Sequence, residues 1–252
     1  MSVRKTLALA SGAVICTGLL GTGCASRTPD GPPAQSASPR PAQSASPRPA
    51  PAGPTARPLP GLGPVMRARV PADTRQALVV RGPTSDANQA QVVLYERDPE
   101  RGWQAVAGPW PAHNGLRGWT SDHSAGDLRT PVGVFGISDA GGRLPDPGTR
   151  LPYDQDPDFS ATGTGHLGED LEGSFDYVIA VDYNRVPGTT PLDNTRPLGE
   201  EKGGGVWIHV DHDGPTNACV SLEEEHMRTL LRALDPDRRP VVVMGPASEL
   251  AR

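Results

Sequence analysis

The pattern of apolar and polar positions changes character near residue 65. Beyond it, short apolar runs recur between turns marked by glycine and proline. Ala77-Leu78-Val79-Val80 is one run, and Val92-Val93-Leu94-Tyr95 is another. The turn Asp98-Pro99-Glu100-Arg101-Gly102 leads into Trp103-Gln104-Ala105-Val106, which predicts the return strand of a hairpin. Further runs lie at 132–137, 177–183, 206–210 and 240–244. Strands outnumber helices, so the pattern predicts a mainly β domain of sandwich or barrel-like form. One flanking helix is predicted over about 222–234. Met227, Leu230, Leu231 and Leu234 form its apolar stripe. Ser221 and Glu224 fit a capping box at its start, and Asp235-Pro236 ends it. The stretch 138–175 is polar and glycine-rich, and a loop of that length reads as a lid or binding loop.

Before residue 65 the pattern is that of an address and a tether. Arg4 and Lys5 precede a largely apolar stretch from Leu7 to Leu20, and Gly21-Thr22-Gly23-Cys24 follows. That order is a secretory signal, assigned to residues 1–24. Small residues ahead of Cys24 resemble a bacterial lipoprotein cleavage site, with lipid carried on Cys24. Gly21 departs from that pattern, standing where Leu is usual, and cleavage after Ala25 is the alternative. Residues 25–65 form a Pro/Ser/Ala-rich linker in which one octet occurs at 34–41 and again at 42–49. Such a segment has too little apolar surface to fold and acts as a semi-rigid spacer. Residues 66–252 are left as one domain.

Charge narrows the function classes. Residues 1–64 hold six bases and one acid, Asp30, so the rest of the chain has 18 bases against 28 acids. An acidic balance of that size excludes a basic nucleic-acid footprint. No apolar run after residue 25 approaches the ~20 residues that span a bilayer, which excludes a polytopic membrane protein.

The candidate chemistry lies between Trp207 and Ser221. Cys16 and Cys24 fall in the leader, so Cys219 is the only thiol of the domain and a candidate reactive one. Its place ahead of the predicted helix favours the thiolate through the helix dipole. Glu223, Glu224 and Glu225 oppose it, so a nearby imidazolium is expected to do most of the activation. His209, at the end of a predicted strand, is the candidate base. The backbone N–H groups of Ala218 and Cys219 are candidate oxyanion donors. A buried cysteine that packs as a small apolar residue is the alternative. A metal site through His209, Asp211, His212 and Asp213 is disfavoured. On a strand, 209 and 211 face away from 212, and no HExxH or cysteine cluster is present.

Two motifs resemble the L,D-transpeptidase catalytic domain of the YkuD type. Gly126-Asp-Leu-Arg-Thr-Pro-Val-Gly-Val-Phe135 is similar to the family's Thr-Pro-x-Gly-x-Phe strand. Ile208-His209 followed by Pro215-Thr-Asn-Ala-Cys-Val-Ser-Leu222 is similar to its His…Ser/Thr-x-Gly-Cys signature. Asp182-Tyr183-Asn184 before a polar loop fits one branch. The resemblance runs from about residue 75 to 246. It implies a YkuD-type β fold, a nucleophile at Cys219 and a base at His209. Thr216, Asn217 and Asn184 are the implied substrate contacts. The implied reaction cuts a peptidoglycan tetrapeptide stem through a cysteine acyl-enzyme. It then forms a 3→3 cross-link, or acts as an L,D-carboxypeptidase if water resolves the thioester. No metal or organic cofactor is implied. Stem peptides are the implied partners, with the membrane reached through the N-terminal lipid. The implied location is outside the cytoplasm, on the outer face of the membrane or in the wall. Asn217, Ala218 and Ser221 depart from the commoner residues at their positions. The alternative is a wall-associated lipoprotein that keeps the fold without catalysis. Sortases place the histidine far upstream of the cysteine, and papain-like domains reverse the order of the two.

Overall fold

The computed structural model describes residues 57–252. The signal, the lipidation residue Cys24 and the linker up to residue 56 lie outside the described residues. Residues 57–65, expected as the end of the linker, pack on the domain instead. Leu59 and Leu62 are buried, and Arg57 bridges to Gly102. A short helix α1 (Pro64–Arg69) follows, and the Val65 N–H donates to the Arg252 carbonyl at the far end of the chain.

The strands are β1 (Gln76–Gly82), β2 (Gln89–Asp98), β3 (Gly102–His113), β4 (Trp119–Thr120), β5 (Thr130–Pro131) and β6 (Gly133–Gly136). After them come β7 (Ala140–Gly142), β8 (Tyr153–Gln155), β9 (Val178–Ala180), β10 (Trp207–Val210), β11 (Val220–Leu222) and β12 (Val241–Pro246). Ten of them form one sheet, in the order β6-β12-β1-β2-β3-β11-β10-β9-β7-β8, curled into a half-barrel. The protein is mainly β, as the hydrophobic pattern predicts.

Local sequence explains most of this. In β1 and β12 the apolar runs are nearly continuous, because both strands are central and covered on both faces. β2 alternates exposed and buried residues through Gln89, Ala90, Gln91 and Val92, which is the pattern of a half-covered strand. The turn into β3 is set by Asp98, whose Oδ1 accepts the N–H groups of Glu100 (2.9 Å) and Arg101 (2.7 Å). The β2–β3 register shifts between Val92 and Leu94, opposite Gly108. There φ is 90° and a Cβ would stand 2.5 Å from the Val92 carbonyl oxygen, so only glycine fits.

The second helix differs from its predicted start. α2 (Glu224–Ala233) begins at Glu224, with Glu223 as N-cap and no side-chain cap. Ser221 belongs to β11, which pairs parallel with β10, and its hydroxyl donates to Asp211 Oδ1 at 2.5 Å. A cap contributes about 1 kcal/mol. Burying Val220 and Leu222 completely, as β11 does, contributes roughly 1.5–3 kcal/mol for each side chain. The strand therefore wins over the cap. The apolar stripe is as predicted: Met227, Leu230, Leu231 and Leu234 are fully buried. The loop 138–175 also carries β7 and β8, short pieces added to the sheet edge. A last helix, α3 (Ala247–Leu250), follows β12.

Candidate active site

β10 runs antiparallel to β9 and parallel to β11. A parallel neighbour requires the chain to return to the start of β10, and the loop after Asp211 does this through Asp213, whose φ is 63°. The return sets Val220 beside Ile208 and Ser221 beside His209. Cys219 precedes Ser221 by one pleat pair, so its side chain emerges on the same face of the sheet as His209. Both residues line one cavity of about 230 Å³.

His209 is buried, at 3 % exposure. Its Nδ1 lies 2.8 Å from the Val210 carbonyl oxygen. A carbonyl can only accept, so Nδ1 carries the proton and Nε2 is left as the basic nitrogen. The ring stands edge-on to Phe175 (5.3 Å) and stacks on His212 (5.8 Å). Burial pushes its pKa down to about 4, against the opposing hydrogen bond to Val210. The Cys219 sulfur accepts the Trp207 N–H at 3.4 Å and its thiol donates to the Gly205 carbonyl at 3.6 Å. Burial pushes the thiol up to about 11, with the Trp207 N–H opposing. The resting pair is therefore a neutral thiol and a neutral imidazole. The helix dipole expected to favour the thiolate does not reach Cys219, because β11 separates it from α2 and the dipole fades within a turn, and burial opposes the imidazolium expected to do most of the activation.

The backbone at Cys219 is held by two hydroxyls. Thr216 Oγ1 donates to the Cys219 carbonyl at 2.7 Å and Thr130 Oγ1 donates to it at 3.3 Å. Thr130 also accepts the Gly115 N–H at 2.8 Å. Among the described residues, no hydrogen bond uses the N–H groups of Ala218 or Cys219. Ala218 is not in the left-handed region, so its departure from glycine carries no strain.

The cavity roof comes from the glycine-rich loop. His166, Leu171, Ser174 and Phe175 line it. His166 Nε2 lies 3.1 Å from Asn217 Oδ1, and His212 Nδ1 lies 3.4 Å from Glu169 Oε1. Thr216 and Asn217 line the cavity, but Asn184 does not. Its side-chain NH₂ donates to the carbonyls of Gly199 and Gly203, and its Oδ1 accepts the Leu198 N–H. With φ at 45°, Asn184 holds a loop rather than facing the cavity. Asp211 turns away to His113, and among the described residues no group of three metal-ligating side chains is assembled. Sequence reading overlooked the role of Thr130, although it stands in a motif, and it gave no role to His166 or Phe175.

The model of the YkuD family, described as an L,D-transpeptidase catalytic domain, matches residues 84–243. The chain belongs to the YkuD family. The match contains both motifs, the roof loop and the cavity, so the shared family fold and the site coincide. YkuD enzymes act on peptidoglycan and are generally cysteine-dependent. Comparison with curated proteins returns no match to this chain.

Proposed function

We propose that this YkuD domain is a cysteine-dependent peptidoglycan L,D-transpeptidase, with Cys219 as nucleophile and His209 as base. The observation that carries this is one small cavity lined by the domain's only thiol and by a histidine whose tautomer leaves Nε2 basic. Because both groups rest neutral, proton transfer accompanies attack rather than preceding it. The sulfur bonds to the carbonyl carbon of the third stem residue and the thiol proton passes to His209. The bond to D-Ala breaks, and the departing amine takes that proton. The free N–H groups of Ala218 and Cys219 are available to the oxyanion. A second stem then brings a neutral side-chain amine to the thioester. A C–N bond forms, the C–S bond breaks, and His209 returns the amine's proton to the sulfur. The product is a 3→3 cross-link. Water in place of the amine gives L,D-carboxypeptidase activity. Thr216 and Asn217 are the cavity residues assigned to substrate contact. Residues 1–24 are assigned to export and residues 25–56 to a tether. Lipid on Cys24 would hold the domain at the outer membrane face, and release to the wall is the other outcome.

A disaccharide tetrapeptide and a carbapenem, each incubated with the protein and followed by intact mass, test the reading. Loss of D-Ala and an adduct on Cys219, both absent in Cys219→Ala, are expected. The rival reading, a wall-associated protein without catalysis, draws on the backbone hydrogen bonds and high pKa of the sulfur. It expects an unmodified thiol under both conditions.

A further inference from the structure

His212 lines the cavity that holds Cys219 and His209, and the mechanism above gives it no part. Its ring stacks on His209, and its Nδ1 lies 3.4 Å from Oε1 of Glu169 on the roof loop. The two side chains are 6 % and 10 % exposed. Both facing atoms are fully buried, and among the described residues neither has a hydrogen-bond partner. A buried polar atom left unpaired costs about 1–3 kcal/mol, so two of them face to face need a reason. The backbone is built around this pair. Thr164 bridges to Asp170, the Gly165 N–H donates to the Glu169 carbonyl at 2.7 Å, and the Leu167 N–H donates to Glu169 Oε2 at 2.6 Å. A Cβ on either Gly165 or Gly214 would strike Glu169 Oε1, although neither glycine has a positive φ. Glycine at these two positions makes room for the carboxylate rather than for a turn.

Burial raises the Glu169 carboxyl, but the backbone N–H groups of Glu169 and Leu167 outweigh it and hold the group below the usual carboxylate range. A carboxylate draws the ring proton to Nδ1 and leaves His212 Nε2 as the basic nitrogen. A second proton on Nε2 turns the two facing atoms into an ion pair. His209 has no such partner. Its Nδ1 proton goes to the Val210 carbonyl, and burial opposes its charged form. Transpeptidation has a use for this difference. A lysine-like amine keeps its proton up to a pH of about 10.4, so the acceptor arrives as an ammonium. It loses two protons on becoming an amide, and the sulfur takes only one of them.

We propose that His212 is a second catalytic base, which takes the first proton of the acceptor ammonium, and that Glu169 is its positioning residue. The proposal rests on the transpeptidase reading above. The ammonium N–H bond breaks, and its proton passes to His212 Nε2 while the electron pair stays on nitrogen. That pair forms the C–N bond, the C–S bond breaks toward sulfur, and His209 hands the sulfur the second proton. His212 releases its proton to solvent as the product leaves. The test compares two rates in the full chain: acylation of Cys219 by a carbapenem, and formation of cross-linked dimer from disaccharide tetrapeptide. His212→Gln should slow dimer formation about 100-fold and Glu169→Gln about tenfold, with acylation slowed less than about threefold in each. Gly214→Ala, which displaces the carboxylate without altering either histidine, should match Glu169→Gln. Hydroxylamine, an amine uncharged at neutral pH, has no proton to shed before attack. It should resolve the stem thioester of His212→Gln within about threefold of the wild-type rate. A hydroxylamine reaction slowed as much as the stem amine, or equal slowing of acylation and dimer formation in all three variants, overturns the base and leaves a packing pair. A dimer rate unchanged in His212→Gln overturns it as well. Wild-type protein that forms no Cys219 adduct overturns the transpeptidase reading itself, a result visible without any variant.

Discussion

In β1, β2 and β12 the fully buried side chains include Leu78, Val80, Val92, Leu94, Val242 and Met244, and apart from Gln76 at the start of β1, whose amide bonds the end of α2, they are apolar. In β10, β11 and the loop between them, the buried set includes His209, Thr216 and Ser221, with Thr130 behind them. The first region is held by non-directional burial, where a side chain of similar volume serves almost as well. The second gives up some of that stabilisation. Its buried polar groups need particular partners: Val210 for His209, Asp211 for Ser221, the Cys219 carbonyl for Thr130 and Thr216. Burial in one region lowers free energy and in the other changes chemistry, keeping imidazole and thiol both uncharged.

That contrast can be broken by substitutions that trade stability for reactivity. The largest effect is expected at Cys219→Ala, which should remove acylation by at least about 10⁴-fold. Its melting temperature should stay close to that of the wild type. A large drop in melting temperature would make Cys219 a packing residue instead. Leu78→Ala should do the reverse. It should cost about 2–5 kcal/mol in chemical denaturation. Its acylation rate, measured well below the transition, should be that of the wild type.

Thr130→Val tests where the two regions meet. Losing one hydroxyl to the Cys219 carbonyl should slow carbapenem acylation roughly 10- to 100-fold, and Thr130→Ser should restore most of the rate. A stability loss with no change in rate would leave Thr130 a purely structural group.

The neutral pair makes a prediction about pH. The acylation rate should change little down to about pH 5 and fall as His209 gains a proton near its pKa of about 4. Stability should fall over the same side. The unfolded ring takes up a proton near 6.5 while the folded ring resists until about 4, so initial rates are read before unfolding. A rate that falls tenfold between pH 8 and 6 would contradict the neutral resting state. The smallest effect is expected from Ser221→Ala. It should cost about 0.5–1.5 kcal/mol through the lost bond to Asp211, with α2 intact by circular dichroism. Loss of helix signal would restore Ser221 as a cap.

Periodic and local signals were enough for the sequence to determine the apolar strands, the α2 stripe and the turn set by Asp98, and to single out His209 and Cys219, which the structure sets against one cavity, since each lies within a short stretch of chain. Tertiary structure alone decided that Ser221 is a strand residue, because its alternatives differ only in a parallel pairing that local propensity does not encode. It alone brought Thr130 to the Cys219 carbonyl, laid His166 and Phe175 over the cavity, and took Asn184 away from it. It also set the proton affinities, for these depend on how much water the fold removes from around a side chain rather than on its neighbours in sequence.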